Sequence, residues 1–171
     1  MGREESVNRH YAPDAIHLMR TTQQMQLQLS QMADQKASIL MGATFVVFTI
    51  TINQAAKGSI DHAALVLGGF AFLSAILAIL AVLPAVKAPE GAPLNLLFFG
   101  SFTELPEDDF VDRLTGSLDD QDQIFRKIAR DIYQNGAVLR RKKYKFLALA
   151  YRTFLVGLVA TVVVFAVERL A

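Results

Sequence analysis

Five cations crowd into six residues at Arg140, Arg141, Lys142, Lys143 and Lys145. Guanidinium and ammonium groups at this density bind phosphate oxygens, and a neighbouring Phe or Tyr can stack a base. The same cluster precedes a long apolar block, where anionic lipid attracts it. Both readings stand on these residues alone. Asp34 and Lys36 lie just before another apolar block; two positions apart on a helix, they face different ways and each needs its own partner. Arg152 interrupts the last apolar block, where it either snorkels to the headgroups or faces the inside of a bundle or pore.

The chemistry of catalysis is missing from the rest. The chain has no cysteine, which excludes disulfides, thiolate metal sites and cysteine nucleophiles. His10, His17 and His62 are too scattered to form a ligand set with any carboxylate pair. The acids between Glu104 and Asp112 read as a solvated helix start, since they lack the glycine and spacing of a calcium loop. Neither a nucleophile elbow nor a phosphate loop nor a dinucleotide fingerprint occurs. A non-enzymatic protein without metal is expected.

The elements that position these residues are set by three uncharged or nearly uncharged blocks, 37–56, 63–86 and 146–167. At about 1.5 Å per residue, each is long enough as a helix to cross a hydrocarbon core of roughly 30 Å. Pro84 is expected in the last turn of the second helix, with Lys87 marking its exit. The six residues between the first two blocks force an antiparallel hairpin, and Gly68, Gly69, Ala71, Ser74, Ala75 and Ala78 permit close approach. Ser38, Thr44, Thr49 and Thr51 can bond to their own helix or across to a neighbour.

Residues 1–36 are polar, so no secretory leader is expected and the first span would direct insertion. Pro13 and Asp14 suit a helix start, and neither Gly nor Pro occurs from Asp14 to Met41, so one helix can run into the first block. Its Gln-rich part carries Leu18, Met25, Leu29 and Met32 at spacings of seven, four and three. This narrow seam fits a helix packed on its own chain, a contact between protomers, or a helix on a membrane surface.

Residues 87–143 form a small, mainly helical domain. Asn95 to Phe102 is an aromatic strand or buried turn, followed by a helix from about Pro106 to Gly116. A second helix starts near Asp119 and Asp120, with Ile124, Phe125, Ile128, Ile132 and Leu139 at helical spacing. Lys and Arg number four before the first span, one between the first two, nine in the central domain and one after the last. The positive-inside rule then places the N-terminus and central domain in the cytoplasm and the C-terminus outside. The expected fold class is an all-α membrane protein with three transmembrane helices and a cytosolic domain between the second and third.

Four motifs, in order, resemble the transmembrane effectors of Pycsar, the bacterial pyrimidine-cyclase antiphage systems. They are Met32-Ala-Asp-Gln-Lys-Ala-Ser38, Asn95-Leu-Leu-Phe-Phe-Gly-Ser-Phe102, Asp122-Gln-Ile-Phe-Arg-Lys-Ile128 and Lys143-Tyr-Lys-Phe-Leu147. The resemblance implies a partner cyclase that makes cyclic UMP or cyclic CMP on infection. It also implies an effector that responds to this messenger by impairing the bacterial inner membrane, with no nucleic-acid polymer as partner. Under it, Arg140, Arg141 and Lys142 are expected to contact phosphate, Phe98 and Phe99 to stack a pyrimidine or form a hinge with Phe102, and Asp34 and Lys36 to meet ligand or central domain. Arg152 is the gating candidate, and activation would need a homo-oligomer, because three helices alone make a poor pore. Asn135-Gly136 departs from the continuous helix that the resemblance implies. The alternative is a constitutive small membrane adaptor with no ligand of its own.

Overall fold

The computed structural model describes residues 11–58, 61–84 and 91–170. Six α-helices occur among them: α1 (Ala15–Ala56), α2 (His62–Val82), α3 (Phe99–Phe102), α4 (Glu107–Thr115), α5 (Gln121–Val138) and α6 (Lys145–Leu170). A π-helical turn, Leu139–Tyr144, joins α5 to α6. The chain divides into two compact units, residues 1–28 with 85–138 and residues 29–84 with 139–171. The expected N-terminal helix starts at Ala15 and continues unbroken into the first apolar block; His10 lies outside the described residues.

The second unit contains three helices that are long and apolar enough to cross a membrane, or the apolar parts of them. α1 and α2 form the antiparallel hairpin that the short link requires. Ala33 and Ala37 pack with Ala81 near one end, Leu40 with Ala78 further along, and the rings of Phe48 and Phe72 stack at 5.8 Å. α1 ends in a turn at Gly58, whose φ of 75° suits a residue without Cβ. α2 stops at Val82, earlier than expected, and Pro84 falls beyond its last turn. The proline ring disfavours helical geometry at the residue before it, and Leu83 is accordingly extended, with ψ of 126°. The expected end of this span, at residues 85–86, lies outside the described residues.

α6 runs antiparallel to α2, with Leu147 against Ala81 and Ala150 against Ala78. Small residues make this possible: Gly68, Ala71, Ser74, Ala78, Ala81, Ala150 and Gly157 are all buried. Where the solvent for a helix is lipid, such contacts rest on van der Waals packing and a few interhelical hydrogen bonds. Ser74 Oγ donates to the Ala150 carbonyl at 2.9 Å. The hydroxyls of Ser38, Thr44, Thr49 and Thr51 instead donate to carbonyls of their own helix. At the other end of the bundle, His62 Nδ1 and Glu168 Oε1 lie 2.8 Å apart.

The first unit is built from amphipathic pieces. α4 carries Glu107, Asp108 and Asp109 in its first turn and Arg113 in its last, which complements the helix dipole at both ends. Asp120 caps α5 by accepting from the backbone N–H of Asp122 and Gln123. The stretch from Asn95 to Phe102 is a turn followed by the single helical turn α3, and Phe102 packs on Phe110 of α4 with ring centroids 4.8 Å apart. Lys127 Nζ of α5 donates to the Arg113 carbonyl and to Ser117 Oγ, joining the end of α4 to α5. Partial burial lowers the pKa of this lysine from its ordinary value.

Of the three readings open for the seam of α1, burial on its own chain is not the one observed. Leu18, Met25, Leu29 and Met32 are all exposed. α1 buries a different face, Ala33, Ala37, Leu40 and Thr44. The small residues of that face let the helices approach closely, which longer Leu and Met side chains would prevent.

Candidate functional site

Two polar arrangements stand out, one in each unit. In the first unit, Asn95 closes its own turn: its Oδ1 accepts from the Leu97 backbone N–H at 2.9 Å, and its backbone N–H donates to Ser101 Oγ at 3.0 Å. Its remaining group, Nδ2, donates to Asp131 Oδ1 at 3.2 Å. Asn135 Nδ2 donates to the same oxygen at 2.8 Å, and Gln23 Nε2 donates to Asp131 Oδ2 at 2.9 Å. A buried carboxyl is thus satisfied by three amides from α1, the Asn95 turn and α5. Beside it, Gln134 Nε2 donates to the Pro93 carbonyl, and Arg130 Nη1 to the Leu94 carbonyl. Gln134 Oε1 is buried and has no hydrogen-bond partner among the described residues.

This arrangement accounts for Asn135-Gly136. α5 runs through both residues without a break. Asn135 serves Asp131, while Gly136 leaves room for Gln26, whose Nε2 donates to the Ile132 carbonyl at 2.9 Å. A Cβ at position 136 would meet that Nε2 at 3.2 Å. The irregularity expected there occurs instead in the π-helical turn that follows.

In the second unit, that turn carries Arg140, Arg141, Lys142 and Lys143, and Lys145 opens α6. π-helical turns interrupt α-helices at a cost in hydrogen-bond geometry and are frequent at functional sites. Lys143 reaches α1, where its Nζ donates to Asp34 Oδ1 and Oδ2 at 2.8 and 2.7 Å and to Ser30 Oγ at 2.7 Å. Tyr144 Oη donates to the Leu29 carbonyl, and Lys142 Nζ to the Pro84 carbonyl at 3.2 Å. Arg140 and Arg141 are exposed, with no hydrogen bond or ion pair among the described residues. Asp34 therefore has a partner, and it is Lys143, which the sequence did not single out from its neighbours. Lys36 is exposed, and among the described residues only its backbone carbonyl is engaged, by Tyr151 Oη at 3.0 Å. Arg152 is exposed on α6 and does not face the interior of its own bundle.

Phe98 and Phe99 belong to the first unit, with ring centroids 5.1 Å apart. Phe98 is buried as part of the core, whereas Phe99 is half exposed and is the one with a face to offer. Asn95, Asp131 and Gln134 escaped the sequence reading. Their signal was present: Asp131 lies three residues after Ile128 and seven after Ile124, a carboxyl on the apolar face of α5.

The Asp34–Lys143 pair sets an expectation. Lys143 is largely buried, but Asp34 remains more than a third exposed, so solvent screening holds the contribution to about 1 kcal/mol. Lys143→Met should lower thermal stability in detergent by that amount, and Asp34→Asn in the same background should cost almost nothing more. Fully additive losses would show that the two residues act separately.

Three apolar helices, short amphipathic helices and a cationic turn between α5 and α6 define a polytopic helical membrane protein. Among the described residues, no group of His, Cys, Asp and Glu could hold a metal ion. The chain belongs to the Pycsar effector protein domain family, whose model matches residues 17–168. It is also similar to the Pycsar effector protein PtPycTM of Propioniciclava tarda, with 36% identity over 96 residues, or 54% of this chain and 46% of the relative. The chain thus aligns with about half the length of that curated relative. No solved structure matches it.

Proposed function

We propose that the protein is an inner-membrane effector of a bacterial antiphage system, activated by a cyclic pyrimidine nucleotide from a partner cyclase and acting by impairing the membrane. The observation that carries this reading is the family match over residues 17–168 in a chain with three helices apolar enough to span. In this reading the spans are 37–56, 63–86 and 146–167, and residues 1–36 and 87–143 face the cytosol. The excess of Lys and Arg in those two segments supports that orientation.

Arg140 and Arg141 are exposed, with no hydrogen bond or ion pair among the described residues, which suits them to the messenger's phosphate. Lys142 assists from its contact with the Pro84 carbonyl. Binding can change the state of the effector only by the difference in affinity between its two states. A shift from 1:99 to 99:1 takes about 5.5 kcal/mol, shared among protomers that act together.

The test is membrane potential, followed by dye fluorescence in proteoliposomes of the purified protein, with cyclic UMP, cyclic CMP or cyclic AMP added. Depolarisation is expected with one pyrimidine messenger and not with cyclic AMP, and Arg140→Ala with Arg141→Ala should weaken the response at least about tenfold. Silence with all three nucleotides, in vesicles holding folded and oriented protein, would favour a constitutive adaptor.

A further inference from the structure

α1 buries one face and leaves another uncovered. The uncovered face carries Leu18, Met25, Leu29 and Met32, which are 70, 57, 41 and 46% exposed, and continues through Ile39, Val46 and Ile50, also exposed. Leu18, Met25, Met32, Ile39 and Val46 recur every seven residues, while Thr22, Leu29, Lys36, Ala43 and Ile50 hold the alternate place, also seven apart. A side that merely faces lipid or water needs no period. An apolar column kept at seven-residue spacing from Leu18 to Val46 is what keeps a seam turned toward a helix running alongside.

The flanks of the seam narrow the choice of occupant. From Thr21 to Ala33 there is no charged residue, so nothing in this water-exposed stretch selects a charged partner or an anionic lipid surface. One flank is the face already buried, Ala33, Ala37 and Leu40. The other is Thr21, Gln28, Gln35, Gly42 and Thr49, neutral throughout, with open space beside Gly42. An occupant must follow a single helix from a polar stretch into an apolar one, in the same direction. A second copy, inserted in the same orientation, presents such a helix.

We propose that the exposed heptad face of α1 is a parallel interface on which a second copy of this chain docks, with Lys36 at its one charged position. The proposal rests on the reading of the protein as an oligomeric membrane effector and says where the protomers meet. In a parallel pair two Lys36 ammonium groups come to the same level. Such a residue fixes the register and weakens the assembly at the same time.

The absence of cysteine from the chain makes the test clean. Single-cysteine variants of the full chain, Met25→Cys and Met32→Cys on the seam and Leu27→Cys roughly half a helical turn away, are oxidised in membranes and read on non-reducing gels. Dimers are expected from the two seam positions and not from Leu27→Cys, although Leu27 is the most exposed of the three. In the Met32→Cys background, Leu29→Glu should reduce the dimer about tenfold, and Lys36→Leu should increase it. Equal cross-linking at all three positions, or no gain from Lys36→Leu, would overturn the interface. Cross-linking needs no messenger, so seam dimers without depolarisation would refute the proposed function alone, and depolarisation without seam dimers would refute the interface alone.

Discussion

Replacing Asp131 by Ala is expected to lower the stability of the first unit by about 3 kcal/mol, because three amide donors lose their acceptor together. Asn95 is the most exposed to this loss in energetic terms, since it is nearly fully buried and water cannot replace the missing oxygen. The amides of Gln23 and Asn135 are only partly buried and recover some bonding from solvent. Asp131→Asn separates hydrogen bonding from volume: it keeps the size but turns an NH2 group toward existing donors, so it too should destabilise. Thermal unfolding of the detergent-solubilised protein reads both variants. A wild-type melting temperature for Asp131→Asn would show that volume alone matters at this position. Asp131 and Asn95 share a bond, so their losses should fall short of additivity in the double variant.

The second large effect is expected at Gly157. It is buried against α2, and a Cβ there would lie 2.3 Å from Phe70 Cβ. Phe70 Cβ is fixed to its backbone, so relief requires a movement of the helix itself. Gly157→Ala should cost about 2 kcal/mol by overpacking, and Gly157→Leu should part α6 from α2. The control is Gly69→Ala, where an added Cβ has nothing within 4 Å. A cysteine pair at Ala78 and Ala150, which share one packed cluster, should form a disulfide in the parent and lose it in Gly157→Leu. Retention of that disulfide together with parental stability would mean that the bundle accommodates the side chain without parting.

These two positions differ in how visible they were beforehand. Gly157 is one glycine within an apolar block, and nothing local distinguishes it from Gly69; only the neighbour across the interface does. Asp131 broke the apolar pattern of α5, yet its partners Gln23 and Asn95 are 108 and 36 residues away in the chain. Likewise the choice of Lys143 among five adjacent cations follows from the π-helical turn, which aims it at Asp34 across 109 residues. Hydrogen bonds over such separations have no local signature. They arise when helices pack.

What the sequence determined by itself is the number of the apolar helices, the hairpin between the first two, the helical nature of the central segment and the family. Hydrocarbon thickness, a six-residue link and the 3.6-residue period act on nearest neighbours along the chain, so they can be read there. The tertiary structure alone decided where α2 ends, how α5 passes into α6 and which face of α1 is buried. The narrow seam of Leu18, Met25, Leu29 and Met32 was plain in the sequence, but a pattern of apolar residues does not name what covers it. The small residues Ala33 and Ala37 took the intramolecular contact because close approach of helices rewards small side chains. That left Leu18, Met25, Leu29 and Met32 outside.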